Sequence, residues 1–132
     1  MLIDDIKAEE GFSGTVYVCS EGFYTVGYGT RLPITKEEAT LLLEYRLSKT
    51  ISGVKSSLHH LNIHDEAWDI LYNMTYQIGL GGLLNFKNMI KALKNNDYKE
   101  ASIQMLDSLW AKQTPNRAKR LSDRMSKLWN IK

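Results

Sequence analysis

Residues 10–29 read EGFSGTVYVCSEGFYTVGYG, and this stretch decides the fold. β-Branched and aromatic residues run from Thr15 to Val18 and again from Phe23 to Tyr28, parted by Ser20-Glu21-Gly22. That is the pattern of a β-hairpin with Gly22 in its turn. Gly27 and Gly29 let the end of the second strand pass close to another backbone or to a ligand. The only cysteine, Cys19, stands beside the turn. It is open to three readings: inert packing, a nucleophile, or a replacement for another residue.

Upstream of the hairpin, Leu2, Ile3 and Ile6 fall at helical spacing, and Gly11 follows Glu9 and Glu10 where a helix C-cap belongs. A short helix ending at Glu10 is expected. Downstream, ITKEEATLLLEYRLSKTISGVKSSL opens with a capping box, Thr35 with Glu38. Leu42, Leu43, Leu47, Ile51, Val54 and Leu58 then keep to one stripe of a long helix. DEAWDILYNMTYQIG is apolar on almost every side and ends in Gly79, which predicts a buried central helix. LLNFKNMIKALKNN reads as an amphipathic helix, and Asp97 with Glu100 forms a second capping box opening one helix over DYKEASIQMLDSLWAK. Thr114 and Pro115 read as N-cap and first position of a further helix, with one or two short helices to the end. The expected fold class is α+β. About residues 12–34 form a β-hairpin lobe, 35–59 a connecting helix, and 1–11 with 60–132 a helical lobe, together a single domain over 1–132.

The chain has 132 residues, 43% hydrophobic and 24% charged, an ordinary globular balance. A chain of this length buries about two-thirds of the surface its unfolded form exposes, so it needs no staple. One cysteine excludes an intramolecular disulfide, and no Cys/His spacing of a zinc site is present. No apolar stretch approaches the roughly 18 residues of a membrane span, and MLIDDIKAEEGFSG lacks the apolar run of a signal peptide. Synthesis in the cytosol without stable membrane insertion is expected.

Charge is unevenly placed. Residues 1–30 carry five acids against Lys7, whereas residues 110–132 carry seven bases against Asp123. Three readings compete: a basic face for an anionic polymer, two segments that meet and pair, or a solvated helix face. Two lobes joined by one helix are expected to leave a cleft in which a ligand lies. Glu10 ends the first helix just before the hairpin. A helix C-terminus disfavours a carboxylate's negative charge, and partial burial under the hairpin acts the same way. Both effects favour a proton on Glu10, the requirement of a general acid. The alternative is a plain surface charge in the last turn.

Glu10-Gly11, Tyr17, Cys19, Gly22, Thr25, Gly27 and Gly29 resemble the active-site hairpin of the phage-type lysozymes, which are muramidases. Those proteins space a catalytic Glu, eight residues, an Asp or in some members Cys, five residues, then Thr. Here Glu10, Cys19 and Thr25 keep both intervals. WAKQTPNRAKR, residues 110–120, is similar to the family's C-terminal block, and NMTYQIG, residues 73–79, to the end of its central helix. The three segments lie in family order.

The resemblance implies a lysozyme-like fold and an endolysin. It implies hydrolysis, with inversion, of the β-1,4 bond between N-acetylmuramic acid and N-acetylglucosamine in peptidoglycan, causing cell lysis. Glu10 takes the acid role, with Cys19 and Thr25 holding or activating water on the other side of the sugar. Arg117 is expected to reach Glu10 and Arg120 to lie near Glu9, as supporting groups. Arg31, Tyr76, Gln77 and Gln104 fall where the family binds sugar. No cofactor and no metal are implied. The expected partner is the glycan strand, not nucleic acid, and the protein is expected to be a monomer. Release to the periplasm from the host cytoplasm is expected to depend on a holin. The chain departs from the family pattern at Thr30, where many relatives have His. Only RLPI separates Thr30 from Thr35, so the hairpin lobe is shorter than in the T-even phage enzyme.

HHLNIHDE gathers His59, His60, His64, Asp65 and Glu66 but lacks HExxH spacing, and reads as a solvated turn. Met74, Met89, Met105 and Met125 read as core filler, and Trp68, Trp110 and Trp129 as packing. Two other functions are compatible with single features. One is a Cys-dependent cell-wall peptidase or amidase using Cys19 and a histidine. Against it stands the expected place of Cys19 on a strand, where no helix dipole lowers its pKa. The other is a peptidoglycan-binding module of weak catalysis.

Overall fold

A computed structural model describes the backbone of residues 1–130 and the side chains through Leu128. The packing expected of Trp129 lies outside the described residues. The elements run α1 (Leu2–Glu10), β1 (Ser13–Val18), β2 (Tyr24–Gly27), β3 (Thr30–Arg31), α2 (Lys36–Ser57), α3 (Asp65–Leu84), α4 (Lys87–Lys94), α5 (Tyr98–Leu106), α6 (Leu109–Gln113) and α7 (Pro115–Ser126). A 3₁₀ turn over Lys127–Asn130 follows. This is an α+β arrangement, mainly helical, with one small antiparallel sheet in order β1-β2-β3. The chain divides into two compact units, Met1–Leu43 and Glu44–Lys132, the division falling within α2.

In the first unit, α1 stops at the expected residue. Gly11 takes φ +69°, and its amide bonds the Lys7 carbonyl at 2.9 Å. The hairpin is as the sequence predicts, with Tyr17 paired to Thr25 and Val18 to Tyr24. Between Ser13 and Tyr17 the register shifts, because three residues of β1 oppose one of β2. The sheet has one strand more than expected. Gly27 and Gly29 both adopt positive φ, and the chain doubles back to pair Thr30 with Val26 and Arg31 with Thr25. The capping box at the start of α2 closes in both directions, Thr35 N to Glu38 Oε1 at 2.8 Å and Glu38 N to Thr35 Oγ1 at 3.1 Å.

The core belongs to the second unit. Val54, Ile70, Leu71, Met74, Leu83, Met89, Leu93, Met105 and Met125 are fully buried, so the four helical methionines do fill the core. Of the α2 stripe, Val54 and Leu58 are buried while Leu42 and Leu43 are exposed. In α3 the expected stop appears as a kink: Gly79 has φ +81° and ψ 164°, and helix resumes beyond it as far as Leu84. The single helix expected from Tyr98 to Lys112 is two. Ser108 is extended, its hydroxyl accepts the Ala111 amide at 3.1 Å, and it thereby N-caps α6. Asp and Ser offer their own side chains to nearby amides, which competes with helix continuation at Asp107-Ser108. α5 packs on α4 and α7. Trp110 is buried and Trp68 stacks on Tyr72, with ring centroids 6.1 Å apart.

Candidate active site

Four of the residues singled out in the sequence line one pocket of the first unit. Glu10, Cys19, Thr25 and Arg31 surround about 240 Å³ together with Tyr17, Ser20, Glu21 and Gly29. Local chemistry sets each position. Cys19 N donates to Phe23 O and Gly22 N donates to Cys19 O, both at 2.9 Å. These bonds close a three-residue loop whose last residue, Gly22, has φ +86°. Cys19 therefore stands one residue past the end of β1, in the loop, and not on the strand as the sequence suggests. Thr25, opposite Tyr17, is the one buried residue among those described in 1–43, and its hydroxyl donates to Phe23 O at 2.9 Å. Gly29, at φ +74°, lies so close to Glu10 that a Cβ there would collide with the carboxylate. Glu10 itself is exposed, so the partial burial expected of it is not found.

The Cys19 thiol is held below its ordinary pKa. Backbone hydrogen bonding at Phe23 is the largest cause, followed by that at Glu21, against a smaller opposing effect of burial; the Thr25 hydroxyl and the Arg31 charge lower it further. Arg31 NH2 pairs with Glu21, and its guanidinium lies 4.6 Å from the Phe23 ring centroid. Glu21 is a site residue the sequence reading missed, because an acid beside Gly22 looks like ordinary turn polarity. Glu9 is exposed on α1.

In the second unit the predicted residues are partly committed to partners. Arg117 Nε and NH2 donate to Asn73 Oδ1 at 3.0 and 2.7 Å, and NH2 also to Asn73 O at 3.1 Å. Asn73 as anchor was not foreseen, although it opens the quoted segment NMTYQIG. Gln77 Oε1 accepts from Trp110 Nε1 at 2.9 Å. Gln104 Nε2 donates to Glu100 Oε1 at 2.9 Å and lines a pocket of about 460 Å³ with Phe86, Met89, Ser108 and Trp110. Tyr76 is exposed, as is Arg120. Around the histidines, His64 packs against Tyr98 and Glu66 pairs with Arg124. No histidine lines the Cys19 pocket. Among the described residues no group of three His, Cys, Asp or Glu side chains could hold a metal, and no helix is long and apolar enough to cross a membrane.

The family model described as phage lysozyme matches residues 7–127. The chain is 28% identical over 151 aligned positions to probable T4-type lysozyme 1 of Dictyostelium discoideum, covering 89% of each. Probable T4-type lysozyme 2 of the same organism is 25% identical, over 91% of this chain and 90% of its own. The pre-baseplate central spike protein Gp5 of Enterobacteria phage T4 is 28% identical over 92% of this chain, which corresponds to 27% of that protein.

Proposed function

The chain belongs to the phage lysozyme family and is thereby a glycoside hydrolase, a lysozyme-like muramidase with peptidoglycan as its substrate; from that premise we propose that it cleaves the β-1,4 bond between N-acetylmuramic acid and N-acetylglucosamine with inversion. The observation that supports this is the gathering of Glu10, Cys19 and Thr25 around one pocket. Glu10 gives its proton to the glycosidic oxygen as the C–O bond breaks. A water held by Thr25 attacks the anomeric carbon from the opposite face, and its proton passes to the Cys19 sulfur. The lowered thiol pKa suits that role, since only the thiolate accepts the proton.

Arg31, Tyr76, Gln77 and Gln104 contact the glycan in this reading, and Arg117, Arg120 and Glu9 support the site without reacting. Residues 1–132 act as one lysozyme domain. The protein works as a monomeric endolysin, made in the host cytoplasm and admitted to the wall by a holin, and its activity causes lysis. Co-expression tests the release route: lysis is expected with a holin and not without one.

Digestion of purified peptidoglycan tests the chemistry. New reducing ends are expected, whereas new free amines would mark a Cys-dependent peptidase or amidase, and binding without either product a module. Glu10→Gln is expected to abolish reducing-end release with the fold intact. Near wild-type release by that variant would sink the mechanism.

A further inference from the structure

The loop that carries Cys19 also carries both anchors of Arg31. Sheet register brings Arg31 opposite Thr25 on β2, next to the pocket. From there its guanidinium pairs with Glu21 and stacks on Phe23, two residues of the turn that starts at Cys19 and is closed by Cys19 N donating to Phe23 O at 2.9 Å. Arg31 is the only cation among the residues lining this pocket, where Glu10, Glu21, the Tyr17 phenol and the Cys19 thiol are the other titratable groups. A thiol is ordinarily protonated at neutral pH, with a reference pKa of about 8.5, whereas an aspartate is ionised. A thiol that takes a proton from water therefore needs a feature favouring its ionised form that a carboxylate in its place would not need.

We propose that Arg31, clamped between the Glu21 carboxylate and the Phe23 ring, is a positioning residue that fixes the hairpin loop around Cys19 and favours the ionised form of its sulfur. The clamp acts in two ways. It keeps the Glu21–Phe23 backbone in the turn that holds Cys19, and it sets a positive charge in the pocket that Cys19 lines. Glu21 works through Arg31, since a bare carboxylate near the sulfur would disfavour the thiolate. The assignment rests on the reading of Cys19 as the group that takes the proton from water.

The test follows ionisation apart from hydrolysis. Cys19 is the only cysteine, so the rate of iodoacetamide alkylation against pH reports it alone. At low ionic strength, Arg31→Gln is expected to slow alkylation at neutral pH about threefold, as befits a half-exposed charge pair, and to move the titration midpoint upward. Arg31→Lys restores part of the shift, keeping the charge without the flat fork. Glu21→Gln is expected to raise the midpoint in the Arg31 background, where it releases the clamp, and to lower it in the Arg31→Gln background, where it removes a bare carboxylate. An unchanged midpoint in folded Arg31→Gln overturns the proposal. If that variant melts, Phe23→Leu, which loses only the stacking face, must show a smaller shift in the same direction, and no shift there also overturns it. A midpoint that moves while the acid limb of peptidoglycan hydrolysis stays in place upholds the clamp and refutes Cys19 as the base.

Discussion

At the scale of single residues, the role proposed for Cys19 predicts the pH behaviour. The sulfur must be ionised to accept a proton, so the rate rises as pH climbs through the thiol's pKa. The loop backbone at Phe23, ahead of that at Glu21, lowers that pKa, which moves the acid limb to lower pH than an unperturbed thiol would give. A carboxyl titrates lower still, near 3.9 against about 8.5 for a free thiol. Cys19→Asp is therefore expected to keep activity within about tenfold and to shift the acid limb to lower pH. Cys19→Ala is expected to lose about 100-fold or more, the usual scale of general-base assistance. A rate–pH profile of the three proteins decides. A fully active alanine variant would leave Thr25 alone to place the water. That Glu10, Cys19 and Thr25 line one pocket was foreshadowed in the sequence by the family spacing they keep. Glu21 was not, because its role depends on Arg31 returning along an unforeseen third strand.

Among elements, helix starts and stops were legible where a side chain or a glycine signals them within four residues. Gly11 ends α1, and Thr35 with Glu38 opens α2. Where two signals compete locally the reading failed, as at Ser108, which caps a new helix inside an apparently continuous one. Long-range partners were illegible for a different reason: Asn73 and Arg117 lie 44 residues apart. Their three bonds tie α3 to α7, and hydrogen bonds to a charged group contribute about 1.5–3 kcal/mol. Asn73→Ala is expected to destabilise the protein by roughly that amount in urea unfolding. Adding Arg117→Met to it is expected to cost little more, because the stranded half-buried guanidinium is gone. A further loss of comparable size in the double variant would mean that Arg117 has another partner of equal weight.

Across the whole molecule, charge and core divide along the same line. Residues 1–43 carry seven acids against three bases, a net −4, and residues 44–132 carry eight acids against fourteen bases, a net +6. The hydrophobic core cluster runs from Val54 to Leu128, wholly inside the second unit, while the pocket with Glu10, Cys19 and Thr25 lies wholly inside the first. Stability and proposed chemistry are thus assigned to different parts of the chain. Each buried Leu, Ile or Met of that core contributes about 1.5–3 kcal/mol, and cutting α2 between Leu43 and Glu44 removes none of them. A fragment of residues 44–132 is therefore expected to keep helical circular dichroism and a cooperative urea transition while releasing no reducing ends from peptidoglycan. Residues 1–43, whose one buried side chain among those described is Thr25, are expected to stay unfolded by the same measure. A 44–132 fragment without a cooperative transition would show that its core does not suffice, and that the first unit contributes stability as well as the proposed catalytic groups.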